Sequence, residues 1–243
     1  MQALQLASKA LTRALNLQPE NVACWQDLAL SFHYRILQNE NDVEKDLKLK
    51  CFTTIRKALA LDPKNSDLWN ILGVFSAHHQ DFGLAQHAFV KSVTLQGNAT
   101  AWSNLGMLYL TQGRMDLANK AFKEGQNQDP AYIQAWIGQA LIAEASGMDN
   151  EAIDLFRHCN FLGMALESSI GFGHWICKTL REMAEMGNDD DDNNVNNERE
   201  KWRKKHTVYC VNKMYGVTVA SDCLLHYVNR VPDDTCALNM LGN

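Results

Sequence analysis

Apolar side chains between Trp102 and Pro130 recur with a helical period. Trp102, Leu105, Gly106 and Tyr109 fall at i, i+3, i+4 and i+7, which is one face of a helix. Ala118 and Phe122 mark one face of a second helix. Gly113 suits the left-handed residue that ends the first helix, and Gly147 repeats that role one unit later. Pro130 sits where a missing N–H costs little, at the start of the next helix pair. Gly106 and Ala118 lack bulk, so the two helices are expected to cross there in van der Waals contact, with Trp102 and Phe122 filling the space to either side.

The pattern repeats along the chain. Trp25, Trp69, Trp102 and Trp136 lie 44, 33 and 34 residues apart. Sixteen residues after the last three come Ala85, Ala118 and Ala152, each followed four later by Phe89, Phe122 or Phe156. All four prolines, Pro19, Pro63, Pro130 and Pro232, fall in one phase of this period. With Ala, Leu, Gln, Lys and Glu plentiful, the composition favours helix throughout. These landmarks resemble the tetratricopeptide repeat, a helix–turn–helix unit of about 34 residues with W-x₂-L-G-x₂-Y, A-x₃-F and P positions. The resemblance implies an all-α fold, an α-solenoid of stacked helix pairs forming a right-handed superhelix whose concave face holds partner proteins.

Departures from the period suggest the organisation. Residues 1–164 read as a regular array, a partial first repeat followed by four repeats. Trp25 and Cys51 are 26 residues apart where sixteen are usual, so the second of these units is expected to have both helices lengthened past the turn. Residues 165–216 read as irregular long helices around a disordered Asp/Asn-rich loop at 187–197, with helix parity open. Residues 217–243 read as further repeat-like helices. Ala7, Leu11 and Ala14 match a second helix without a first, and Leu238, Leu241 and Gly242 begin one, so the array is expected to be an excerpt of a longer one. The stretch before Glu20, with Lys9 and Arg13, also has the pattern of a mitochondrial presequence, but it fits the repeat register.

Charge and chemistry narrow the function. A formal net charge of −5 argues against a broad nucleic-acid face. The basic Lys201–His206 stretch is weighed against a solvated helix face, which the acidic Asp189–Asp192 run upstream could neutralise. Seven cysteines without tight spacing fit reduced thiols in a cytosolic or nuclear protein. Only Cys51, His78, His79 and Asp81 approach a metal-ligand set, and ordinary helix-surface and turn roles account for them more simply. No nucleophile elbow, P-loop or dinucleotide turn occurs; Gly171–Gly173 sits inside a helical stretch and fits close helix packing. No catalytic residue, metal or cofactor is expected, nor a membrane partner.

The lengthened unit, the SSIGFGHWICKTLREM stretch and the Asp/Asn loop together resemble the family of large tetratricopeptide scaffold subunits of the superkiller complex. That resemblance implies a cytosolic scaffold holding an RNA helicase and WD-repeat propeller subunits and feeding messenger RNA to the exosome. The alternative is an unrelated adaptor or co-chaperone binding a peptide in its groove. A grip on acidic chaperone tails uses Lys just after the Trp position and Asn four further on. Here those places hold Gln26, Asn70, Ser103 and Ile137, then Leu30, Val74, Met107 and Leu141, with only Asn104 matching. Leu30, Val74, Met107 and Leu141, joined by Leu110, are the candidate partner-binding residues, an apolar stripe toward the inner face. Burial by neighbouring helices is the competing explanation.

Overall fold

The computed structural model describes residues 2–38, 45–163, 165–187 and 213–242. The predicted Asp/Asn loop from 188 onward, the basic 201–206 stretch and residues 39–44 of the lengthened unit lie outside them. Among the described residues there are twelve α-helices and no strand. They are α1 (Gln2–Leu17), α2 (Val22–Gln38), α3 (Lys45–Leu61), α4 (Ser66–His78), α5 (Phe82–Leu95) and α6 (Ala99–Thr111). They continue with α7 (Met115–Gln128), α8 (Ile133–Ala145), α9 (Asp149–Leu162), α10 (Leu166–Gly187), α11 (Lys213–Val228) and α12 (Thr235–Gly242). α10 takes in Gly187, expected as the first loop residue, and α11 begins four residues ahead of the boundary expected at 217. Two compact units divide the chain, Met1–Asp129 and Pro130–Asn243.

In the first unit α2 pairs with α3, α4 with α5 and α6 with α7, while α1 packs on α2. α2 and α3 have 17 residues each, against 13 and 14 in the two pairs that follow. Cys51 and Ile55 take the places held elsewhere by Ala and Phe, and both are fully buried in a core with Ala29, Leu72 and Phe75. Turn chemistry repeats to the hydrogen bond. Gly113 (φ 72°) and Gln80 (φ 61°) are left-handed, the latter the one such non-glycine among the described residues. In each turn this residue's N–H and the next one's bond back to the preceding helix, to Leu110 and Tyr109 in one case and Ala77 and Ser76 in the other. Asn65 and Asn98 cap α4 and α6, each accepting from backbone N–H groups of the first turn.

In the α4–α5 and α6–α7 pairs a glycine seats an aromatic ring. A Cβ on Gly106 would meet the ring of Phe122 at 2.8 Å, and one on Gly73 would meet Phe89 at 2.5 Å. The nearest neighbours at Gly106 are thus Phe122 ring atoms, so this close approach is made by the landmark phenylalanine.

The second unit pairs α8 with α9, and its turn repeats the same bonds around Gly147 (φ 70°). α10 is wedged between α9 and α11 by two glycines on either side of buried Phe172. A Cβ on Gly171 would meet the Phe156 ring of α9 at 2.6 Å, and one on Gly173 would meet Leu224 of α11 at 3.0 Å. Ser168 and Ser169, both fully buried, extend the contact in polar form. Ser168 donates to the side-chain Oδ1 of Asn160 at 2.6 Å, and Ser169 lies 3.1 Å from His226 Nδ1.

Candidate functional site

The landmark tryptophans and prolines meet each other. The indole N–H of Trp25 donates to the Pro19 carbonyl at 2.8 Å, Trp69 to Pro63 at 2.9 Å and Trp136 to Pro130 at 2.8 Å. Each bond spans six residues and closes the link between one helix pair and the next. In the link from α5 to α6 Gln96 stands in the proline's place, and Gly97 leaves room for the indole of Trp102, whose Nε1 a Cβ there would approach to 2.9 Å. These residues carry architecture. The spacing pointed to them, but the hydrogen bond that explains the spacing was not read from it.

The residues nearest to a metal-ligand pattern also have structural partners. Cys51 lies 3.6 Å from the Ala29 carbonyl, and burial pushes its thiol up to about 12. Asp81 caps α5. The His78 and His79 rings are 5.2 Å apart, and His33 of α2 joins them, stacked on Phe75 at 4.5 Å and 5.3 Å from His78. His33 is 5% exposed, its Nδ1 has no hydrogen-bond partner, and burial followed by repulsion from His78 and His79 lowers its pKa to about 4. Among the described residues no group of three or more His, Cys, Asp or Glu could hold a metal ion, and no helix is long and apolar enough to cross a membrane.

The five stripe residues divide between the units. In the first, Val74 on α4 and Met107 on α6 are exposed at 36% and 41%, while Leu30 on α2 and Leu110 on α6 are half-buried. Leu30 packs on the core formed by α2, α3 and α4. Between α4 and α6, which touch, Asn104 donates to the Asn70 side-chain carbonyl at 2.9 Å. Leu141 on α8 is in the second unit. It is half-buried and lines an open groove of about 580 Å³. Ile137, Ile170, Val231 and Met240 share the apolar floor with it, drawn from α8, α10, α12 and the turn before α12. Glu144, Glu167 and His174 stand at the rim. Beside it the Tyr227 hydroxyl donates to Asp234 at 2.9 Å, and Asp234 caps α12 through the N–H groups of Cys236 and Ala237. The bond to Asp234 first, then burial and the charges of Asp234 and Glu167, hold the phenol above its ordinary pKa. Ile170 and Met240 lie far along the chain from any regular Trp landmark, which is why the spacing did not find this groove.

Residues 99–132 match the family model for the tetratricopeptide repeat. Over 98% of its length the chain is 37% identical to tetratricopeptide repeat protein 37 of Xenopus laevis and 37% identical to superkiller complex protein 3 of Homo sapiens. It spans 15% of the length of each of these relatives. Among solved structures, the APC/C hetero-tetramer Cut9–Hcn1 superposes with a TM-score of 0.61 and 16% identity, covering all of this chain and 46% of that one.

Proposed function

Because the chain is an array of tetratricopeptide repeats, we propose that it is a non-catalytic segment of a superkiller-type scaffold. In this reading the longer protein holds an RNA helicase and WD-repeat propeller subunits in the cytoplasm. The assembly delivers messenger RNA to the exosome for 3′-to-5′ decay, and the helicase hydrolyses the ATP. The observation that carries the proposal is the similarity to superkiller complex protein 3, which runs through 98% of the chain and so takes in the segments that depart from the regular repeat. The local chemistry is consistent with binding rather than turnover. Val74 and Met107 expose apolar surface, and Leu141 opens onto an apolar groove. The co-chaperone alternative is disfavoured by its own residues, because Leu30, Val74, Met107 and Leu141 occupy the places where a carboxylate grip needs asparagine.

Affinity purification of the tagged protein from its own cells tests the proposal. An ATP-dependent RNA helicase and a WD-repeat protein are expected in near-stoichiometric amounts. Recovery of chaperones alone, or of neither class, would sink the superkiller reading.

A further inference from the structure

We infer that the groove between α8, α10 and α12 takes a partner segment whose apolar side chains are flanked by lysine or arginine. This rests on the scaffold reading and adds the chemistry of what one part of the scaffold holds. The volume of about 580 Å³ lies within the range of sites that bury a ligand-sized apolar group. The floor residues Ile137, Leu141, Ile170 and Met240 offer no hydrogen-bonding side chain. Apolar occupancy is therefore the favourable one, since a polar group pressed against that floor would lose its water without replacement.

The charge at the rim selects the flanks. Glu144 and Glu167 are exposed lining residues, Asp234 accepts from the lining Tyr227, and His174 is the one basic side chain lining the groove. That Glu167 helps to hold the Tyr227 phenol above its ordinary pKa places this carboxylate close to the groove wall contributed by α11. An occupant without cations would partly desolvate these carboxylates and leave them unpaired, while an acidic occupant would be repelled. Cations beside an apolar anchor satisfy both demands.

Two fluorescein-labelled peptides test the inference, one with paired leucines flanked by arginines and a twin with glutamate in place of each arginine. Anisotropy titration against the intact chain is expected to show the arginine peptide binding at least about tenfold more tightly. Glu144→Lys with Glu167→Lys, both exposed, should abolish or invert that preference while helicity by circular dichroism is kept. Leu141→Ser should weaken both peptides while helicity by circular dichroism is kept. Reversing the exposed pair Asp116 and Glu124 on α7 should leave the preference intact. Equal binding of the twins, no binding of either, a preference that survives the rim reversal, or one that moves with the α7 control would each overturn the inference. The outcome is separable from that of the scaffold reading. Peptide selectivity without helicase or propeller partners leaves the groove standing and removes the superkiller assignment, and the reverse result does the opposite.

Discussion

Gly106→Ala should destabilise the chain even though alanine is the better helix former. Replacing a glycine in a helix interior by alanine ordinarily gains about 0.5–1 kcal/mol. Here the new Cβ would stand 2.8 Å from two ring carbons of Phe122, where ordinary van der Waals contact begins at 3.4 Å, so the ring must retreat by 0.6 Å. Phe122 is 1% exposed, so the ring must move within the core. Overpacking of this kind costs about 1–3 kcal/mol, which after the helix-propensity gain leaves a net loss of up to about 2.5 kcal/mol. Gly106→Leu should lose more. The decisive comparison is a double-mutant cycle read by urea denaturation under far-ultraviolet circular dichroism. Phe122→Leu destabilises by itself, but in that background Gly106→Ala should become neutral or stabilising, a coupling of about 2 kcal/mol. An alanine that stabilises the chain with Phe122 present would refute the seating of this ring on Gly106. It would also refute the equivalent argument for Gly73 and Phe89.

Four further outcomes are expected. Gln80→Gly should stabilise by about 1 kcal/mol in the same assay, because it relieves a left-handed residue that carries a side chain, whereas Gly113→Ala should lose a similar amount on backbone grounds alone. His33 has a folded pKa of about 4 against an ordinary 6.5, so its neutral form is the stable one and stability should fall as pH drops below 6.5. Between pH 7 and pH 5 the loss is about 2 kcal/mol, and His33→Leu should remove that part of the slope; parallel pH profiles for the two proteins would refute it. With the native chain, a maleimide should modify exposed Cys236 long before Cys51 or Cys159, whose thiols burial pushes up to about 12, and labelling of all three at one rate would show the core to be open. Met107→Asp should leave the melting temperature nearly unchanged because the side chain is 41% exposed, and a collapsed fold would show that neighbouring helices bury it.

The helix pairs were legible because their landmarks are dictated by packing. A ring in one helix needs a small residue opposite it in the next, and sixteen residues is the distance that brings them together. Gln80 was not legible as the equivalent of Gly113, because its left-handed backbone is imposed by the hydrogen bonds of the turn and not by its own preference. The two faces of α10 were only partly so. Gly171 and Gly173 suggested close packing, yet nothing local says that one receives Phe156 and the other Leu224. The stripe from Leu30 to Leu141 was chosen by position relative to tryptophan. Position fixed which helix each residue stands on. It did not fix exposure, which depends on how far the neighbouring helices extend, so Val74 and Met107 emerge as surface while Leu30 joins a core. The groove around Leu141 needed residues a hundred positions apart to be brought together.

The tryptophan-to-proline hydrogen bond makes the link between successive pairs a ruler of fixed length. At Pro19, Pro63 and Pro130, six residues separate the proline from the indole that reads its carbonyl, while Leu238 stands in that place after Pro232. The links at 96–98 and 163–165 lack the proline and have three residues, against the four of 18–21, 62–65 and 129–132. An insertion into a proline-bearing link would break its bond and disturb the start of the next helix. The turns inside α4–α5, α6–α7 and α8–α9 share one length and one hydrogen-bond pattern, whereas the α2–α3 pair, with 17 residues in each helix, is longer on its hairpin side. Added length therefore has an allowed address in this architecture. A hairpin end can lengthen, as in α2 and α3, and add surface without altering the six-residue spacing of the proline-bearing links.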